Sequence, residues 1–237
     1  MQQTGRGVQM TISGGNKYLS LAQMTPNAKY IWDFFQHWTE SARAGMLGNM
    51  GGPESGESTI NPQIWQGLHY GSLSLGFGVS QWTPATKYLD WAKGYGFTWG
   101  NGGYNKTPQE WLNNQCLRIQ WESENEKQWK QSSNYPISFK SYTQSNKSPE
   151  YQAYVWLNNY EQPRDRNQPQ RKRNARYWFN LFTGSDPDSP GYDPDNPVDP
   201  PDPDEPTPPT SQTLNRPSPI GAICGYINTQ KIYGRWL

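Results

Sequence analysis

The chain has 237 residues and a formal net charge of +1; 32% of the residues are hydrophobic, 14% are aromatic and the mean hydropathy is −1.00. No run reaches the roughly 18–20 apolar residues of a membrane-spanning helix, residues 1–15 lack the apolar stretch of a secretory signal, and twelve Trp, fifteen Tyr and seven Phe argue against disorder throughout. Charge is split: residues 1–183 carry 18 Lys and Arg against 12 Asp and Glu, residues 184–209 carry eight acids and no base, and Arg216, Lys231 and Arg235 follow, so the main part suits a polyanion such as a cell wall or nucleic acid, or has an ordinary solvated surface.

Residues 1–183 read as mainly α. Thr25-Pro26, Thr83-Pro84, Thr107-Pro108 and Ser148-Pro149 each suit an N-cap followed by proline at the first helical position. Apolar residues recur behind them at helical spacing. Tyr30, Ile31, Phe34, Phe35 and Trp38 form the first stripe, and Thr39 to about Asn49 forms a further helix. Residues 58–82 are glycine-rich and predict a short strand or tight turns. Tyr88, Leu89, Trp91 and Ala92 form the next stripe. Trp111, Leu112, Gln115, Leu117, Ile119 and Trp121 predict a longer helix. Tyr151, Tyr154, Val155 and Leu157 predict another, and a last helix covers about 170–182.

From 184 to 219 the composition changes, with twelve of the 21 prolines interleaved with Asp. Such a stretch favours polyproline II and repels itself, making a semi-rigid spacer with a reach of about 100 Å at ~3.1 Å per residue. Residues 220–237, IGAICGYINTQKIYGRWL, are too few to fold alone. They read as a peptide that docks on a partner, or as a tail that is disordered or packs back. The expected organisation is therefore a domain at 1–183, a linker at 184–219 and a docking peptide at 220–237.

Cys116 and Cys224 make no disulfide framework. Two histidines, His37 and His69, are too few for a zinc site with a catalytic His beside it, so no metal or cofactor is expected. The informative stretch is 45–81. Gly51, Gly52 and Pro53 end a helix, and two acids follow, Glu54 and Glu57. A carboxylic acid at a helix end beside an aromatic cleft is a candidate general acid, because partial burial lets it keep a proton near neutral pH.

The run ESTINP at 57–62, GFGVSQWTP at 76–84, NNYEQP at 158–163 and NARYWFNLF at 174–182 strongly resembles the phage tail lysozyme family, the wall-degrading proteins at the tail tips of small phages of Gram-positive bacteria. The resemblance covers about 17–183 and implies a lysozyme-like helical domain. It points to a cleft built from Glu57-Ser58, Gly78-Val79-Ser80-Gln81 and Asn159-Tyr160. In the family the catalytic Glu follows a GNM-like helix end by about three residues; here GGPESG adds about four. Counting from upstream therefore selects Glu54, and counting from the longer downstream anchor selects Glu57.

Glycosidases commonly use two carboxylates, yet no Asp or Glu lies between Ser58 and Gln81. A single Glu leaves two routes: attack by water, or assistance by the sugar's own groups with an anhydro product. Gln81 can donate to and accept from an N-acetyl group or a hydroxyl. Gly76 and Gly78 let the backbone approach a sugar. Trp65, Trp82 and Tyr160 offer faces for stacking on sugar rings, or pack in the core. Glu161 is an acid or an ion-pair partner. Arg164, Arg166, Arg171, Lys172, Arg173 and Arg176 meet anionic wall polymers or form a solvated helix face.

The resemblance implies a virion muramidase acting on peptidoglycan glycan strands when the phage breaches the wall. The alternatives are a lytic transglycosylase and a non-catalytic tail plug or wall-binding module. Expected partners are the glycan strands and other tail or tail-knob proteins; no nucleic-acid motif is present, and no membrane insertion is expected. Relatives often carry a zinc peptidase domain, which two histidines do not supply.

Overall fold

The computed structural model describes residues 11–54, 56 and 58–185. Glu57, nearly all of the linker and the whole 220–237 peptide lie outside the described residues. Within them the chain is mainly α, as expected. Its helices are α1 (Leu21–Phe34), α2 (Glu40–Met50), α3 (Thr86–Lys93), α4 (Pro108–Glu124), α5 (Phe139–Thr143), α6 (Pro149–Trp156) and α7 (Pro169–Thr183). One small antiparallel hairpin joins β1 (Trp99–Gly100) to β2 (Gly103–Tyr104). No described helix is long and apolar enough to cross a membrane.

Helix α2 is the centre of the fold. Every residue from Ala42 to Met50 is buried, the pattern of a helix covered on all sides. Its glycines explain how. A Cβ on Gly45 would lie 2.6 Å from the Gln152 backbone carbon, and one on Gly48 would lie 2.5 Å from the Arg171 carbonyl oxygen. Helices α6 and α7 thus run backbone-close to α2, an approach only glycine allows. The Thr39 hydroxyl accepts from the Ala42 N–H as N-cap and donates to the Ser145 carbonyl at 2.6 Å. Arg43, mid-helix, donates to the Trp32 carbonyl and lies 4.0 Å from the Trp32 ring centroid, so its charge is met despite burial.

The core is largely aromatic. Phe77 packs among Trp65, Tyr88 and Trp111, with Trp82 stacked on Tyr88. A second group joins Trp38, Trp129, Phe139, Tyr142, Trp156 and Tyr160. The glycine-rich segment forms turns, with Phe77 bridging antiparallel to both Trp65 and Trp82.

Two of the four Ser/Thr-Pro caps form as expected, Thr107 on α4 and Ser148 on α6. The other two do not. Helix α1 starts five residues before Pro26, because Gln23 accepts from the Ser20 N–H and sets an earlier cap. Thr83 turns its hydroxyl back to the Gln81 carbonyl, and α3 begins only at Thr86. The β1–β2 hairpin and short α5 carry no signal in the reading above. Helix α6 widens at its end into a π-type turn, Leu157–Glu161. Two groups pull on that turn: the Asn159 carbonyl accepts from Lys130 N–H at 2.8 Å and the Tyr160 carbonyl accepts from Gln128 at 3.2 Å.

Candidate functional site

The end of α2 and the ESTINP run form one anchored unit. The Gly51 carbonyl accepts from the Trp178 indole at 2.7 Å. The Met50 carbonyl accepts from both the Ser58 hydroxyl and the Ile60 N–H, closing the loop between them. Thr59 and Ile60 have φ of 46° and 50°, a left-handed backbone that costs on the order of 1–3 kcal/mol per residue for such side chains. It is held in place: the Thr59 hydroxyl accepts from Leu19 N–H, Asn27 donates to the Ile60 carbonyl, and Asn61 donates to the carbonyls of Gly15 and Lys17. The motif residues after Glu57 are therefore a rigid mount. Ser58 is spent on that mount and is buried, so its hydroxyl is not offered to a sugar.

The GFGVSQ run is mounted in the same way. Gly78 has φ of 75°, and a Cβ there would lie 2.6 Å from the Gln115 side-chain oxygen. Gln115, fully buried in α4, accepts from Val79 N–H and donates to the Pro62 carbonyl, tying this run to the end of ESTINP. Gly78 thus serves close packing on Gln115 rather than approach to a sugar; Gly76 is likewise buried. Gln81, with φ of 47°, donates to the Gly78 carbonyl at 2.8 Å, and its side-chain oxygen has no hydrogen-bond partner among the described residues.

Gln81 lines a cleft of about 540 Å³ whose other walls include Lys87, Gln128, Glu161, Gln168 and Arg171. A smaller hollow of about 310 Å³ is lined by Tyr18, Gly48, Asn49 and Gly56, and again by Gln168 and Arg171. The two hollows therefore adjoin across Gln168 and Arg171, and the α2 end forms one wall. Arg171 donates to Glu161 at 2.6 Å, to the Asn49 carbonyl at 2.8 Å and to Gln168 at 2.6 Å, so it is fixed by helix end, wide turn and α7 at once.

One functional group escaped the sequence reading. Glu122 of α4 is fully buried and accepts from the Trp82 indole at 3.2 Å, the Arg118 guanidinium at 2.7 Å and the Tyr160 hydroxyl at 2.5 Å. Burial pushes its carboxyl above the ordinary range, against the opposing pull of Tyr160, Arg118 and Trp82. Trp82 follows Gln81 and Tyr160 precedes Glu161, so Glu122 clamps both walls of the cleft. Its only local signal is the Arg118–Glu122 spacing of four; its other partners are distant in sequence.

The three aromatic residues considered for stacking lie in the core. Trp65 is 0% exposed and donates to the Tyr104 hydroxyl; Trp82 and Tyr160 are each 1% exposed and stack on Tyr88 and Trp156. None has a free ring face, because each indole or phenol is turned inward to an acceptor. The basic cluster is also largely committed within the fold. Arg173 pairs with Glu54 and Arg176 with Glu150, Arg166 donates to Asn158, and Lys172 lies over the Tyr154 ring. Glu54 is solvent-exposed, pairs with Arg173 at 2.6 Å, and takes its backbone position from Asn174; it lines neither hollow. Of the residues singled out in the sequence for the site, Ser80, Gln81, Glu161 and Arg171 line the cleft.

The family profile described as phage tail lysozyme matches residues 26–182. Over 171 residues the chain is 45% identical to Morphogenesis protein 1 of Bacillus phage B103; the match covers 71% of this chain and 42% of that protein. The chain thus spans less than half the length of that relative. The matched range holds α2, the ESTINP mount, the GFGVSQ wall, the wide turn and α7, which are the parts that build the cleft. The chain belongs to the phage tail lysozyme family.

Proposed function

We propose that this chain is a virion-borne muramidase of the phage tail, which hydrolyses the bond between N-acetylmuramic acid and N-acetylglucosamine in peptidoglycan when the phage breaches the wall. In this reading Glu57 is the general acid and protonates the leaving oxygen. The observation that carries it is the adjoining pair of hollows. Gly56, next to Glu57 in the chain, lines one; Gln81 lines the other; Arg171 and Gln168 belong to both. The left-handed backbone at Thr59 and Ile60 supports the same reading, because strained residues gather where a group must be held for function. The position of Glu54 argues for Glu57 as the acid, since Glu54 is exposed, engaged by Arg173 and lines neither hollow. Gln81, in the wall of the larger hollow, holds an N-acetyl group or ring hydroxyl of the substrate.

The domain responsible is 1–183, the Pro/Asp-rich stretch 184–219 is a spacer, and 220–237 docks on another tail protein. Membership of the family and the likeness to a phage morphogenesis protein support a place in the virion. The test is digestion of purified Gram-positive walls. Falling turbidity with free reducing ends at muramic acid is the expected result. Anhydro-muramyl ends would make the protein a transglycosylase, and no loss of turbidity would make it a plug or binding module.

A further inference from the structure

A pyranose ring presents two chemistries to a protein. Its face of C–H groups packs on an aromatic ring, and its edge of hydroxyl and amide groups needs hydrogen-bond partners. Trp65, Trp82 and Tyr160 are turned into the core, so the aromatic residues of the motifs leave the first requirement unmet. Among the described residues, the one aromatic side chain lining either hollow is Tyr18, in the wall of the smaller. Tyr18 is 53% exposed. Among the described residues its ring packs on no other ring and its hydroxyl has no hydrogen-bond partner. It precedes the range 26–182 that matches the family profile, so that match does not extend to it.

The backbone on both sides of Tyr18 is fixed by the ESTINP mount. The Lys17 carbonyl accepts from Asn61 at 2.7 Å, and the Leu19 N–H donates to the Thr59 hydroxyl at 2.9 Å. Leu19 is itself buried. The left-handed turn at Thr59 and Ile60 therefore grips the chain that carries Tyr18. A tyrosine on a fixed backbone has two side-chain torsions left to order, which keeps the entropic cost of binding low. The polar wall is selective in the same way. Asn49 donates to the carbonyls of Gly45 and Ala153 and accepts from Arg171; Gln168 also accepts from Arg171 and donates to the Asp165 carbonyl. Gln170, half-buried in the first turn of α7, lines the same hollow. Its amide has no hydrogen-bond partner among the described residues, and an amide both donates and accepts.

We propose that the smaller hollow is a sugar subsite in which Tyr18 is the platform for one pyranose ring of the glycan strand. Gln170 hydrogen-bonds the N-acetyl group or a hydroxyl of the same sugar. The proposal rests on the reading of the adjoining hollows as a glycan cleft. It assigns the smaller hollow to a sugar next to the one held by Gln81, because Gln168 and Arg171 belong to both walls.

The experiment measures binding apart from cleavage. Affinity electrophoresis in gels containing glycol chitin reads the dissociation constant of the full chain and its variants, and steady-state kinetics on soluble glycan strands read kcat and KM. Loss of one aromatic platform is expected to weaken binding about tenfold. Tyr18→Ala should therefore raise both the dissociation constant and KM by about that factor, with most of kcat and the melting temperature retained. Tyr18→Phe keeps the ring and should recover most of the loss. Tyr95→Ala removes a tyrosine of similar exposure, 58%, that lines neither hollow, and it should bind like the unsubstituted chain. Unchanged binding by Tyr18→Ala overturns the proposal, as does a Tyr18→Phe protein as weak as Tyr18→Ala, or an equal loss in Tyr95→Ala. A lower melting temperature in Tyr18→Ala with unaltered affinity would make the residue structural and also overturns it. If the unsubstituted chain binds glycol chitin through Tyr18 but cleaves no strand, the muramidase reading fails and the subsite stands. If it cleaves strands and Tyr18→Ala matches it in KM and affinity, the subsite alone is removed.

Discussion

Glu122→Ala should damage both stability and activity although Glu122 lines neither hollow. The carboxylate is fully buried and takes three hydrogen bonds, one from a guanidinium that is itself only 14% exposed. Removing one member of a buried charged pair costs roughly 3–5 kcal/mol, and each orphaned neutral donor adds about 1–3 kcal/mol before relaxation. These terms overlap, so the lower total, about 4 kcal/mol, is the safer expectation. For a domain of this size 1 kcal/mol moves the melting temperature by about 2–4 °C, and the predicted loss is therefore about 8–16 °C. Glu122→Gln should lose less, because an amide oxygen still accepts while its NH2 faces one donor. The pH dependence has a definite sign. Burial raises the folded carboxyl above its ordinary value of 4.5, so the folded state holds this proton more tightly than the unfolded chain. The stability contributed by Glu122 is fully present below 4.5 and declines as pH rises through the raised value. Glu122→Gln should remove that decline. Thermal melting by circular dichroism from pH 4 to pH 8, with turbidity assays on the same samples, reads all of this. A Glu122→Ala protein that melts like the unsubstituted one would refute the clamp.

Gln81→Ala should slow wall lysis by at least about tenfold while shifting stability by less than about 1 kcal/mol, because it removes one hydrogen bond and also an unpartnered acceptor; a large fall in melting temperature with unchanged rate would make Gln81 structural. A chain ending at Ser185 keeps the whole of α7 and its Gly184 cap, and it should fold and digest walls like the full chain yet fail to join the virion. Normal incorporation of that shorter chain would remove the docking role of 220–237.

Local chemistry was legible where cause and effect lie within a few residues. Thr107 and Ser148 cap helices as expected because the hydroxyl needs only an N–H three residues on. Thr83 failed because its hydroxyl found the Gln81 carbonyl first. The aromatic residues were ambiguous for a physical reason: Trp65, Trp82 and Tyr160 sit in motifs beside the cleft, and only the distant acceptors Tyr104 and Glu122 decide that they turn inward. Glu122 itself offered only the Arg118 spacing, since its other two partners lie 40 and 38 residues away. The ESTINP run was recognised as a motif, but its mechanical content, two left-handed residues held by Leu19, Asn27 and the chain near Gly15 and Lys17, needs the fold. Gly45 and Gly48 are the points where α6 and α7 reach α2, and nothing local in the sequence marks them as such.

The central claim is that Glu57 is the proton donor of a hydrolytic muramidase. Mass spectrometry of purified wall digested by the unsubstituted protein, Glu57→Gln and Glu54→Gln tests it most directly. Free reducing muramic acid ends from the unsubstituted protein and from Glu54→Gln, with none from a folded Glu57→Gln, is the predicted result. Active Glu57→Gln beside inactive Glu54→Gln would contradict it and move the acid upstream to the Arg173 pair.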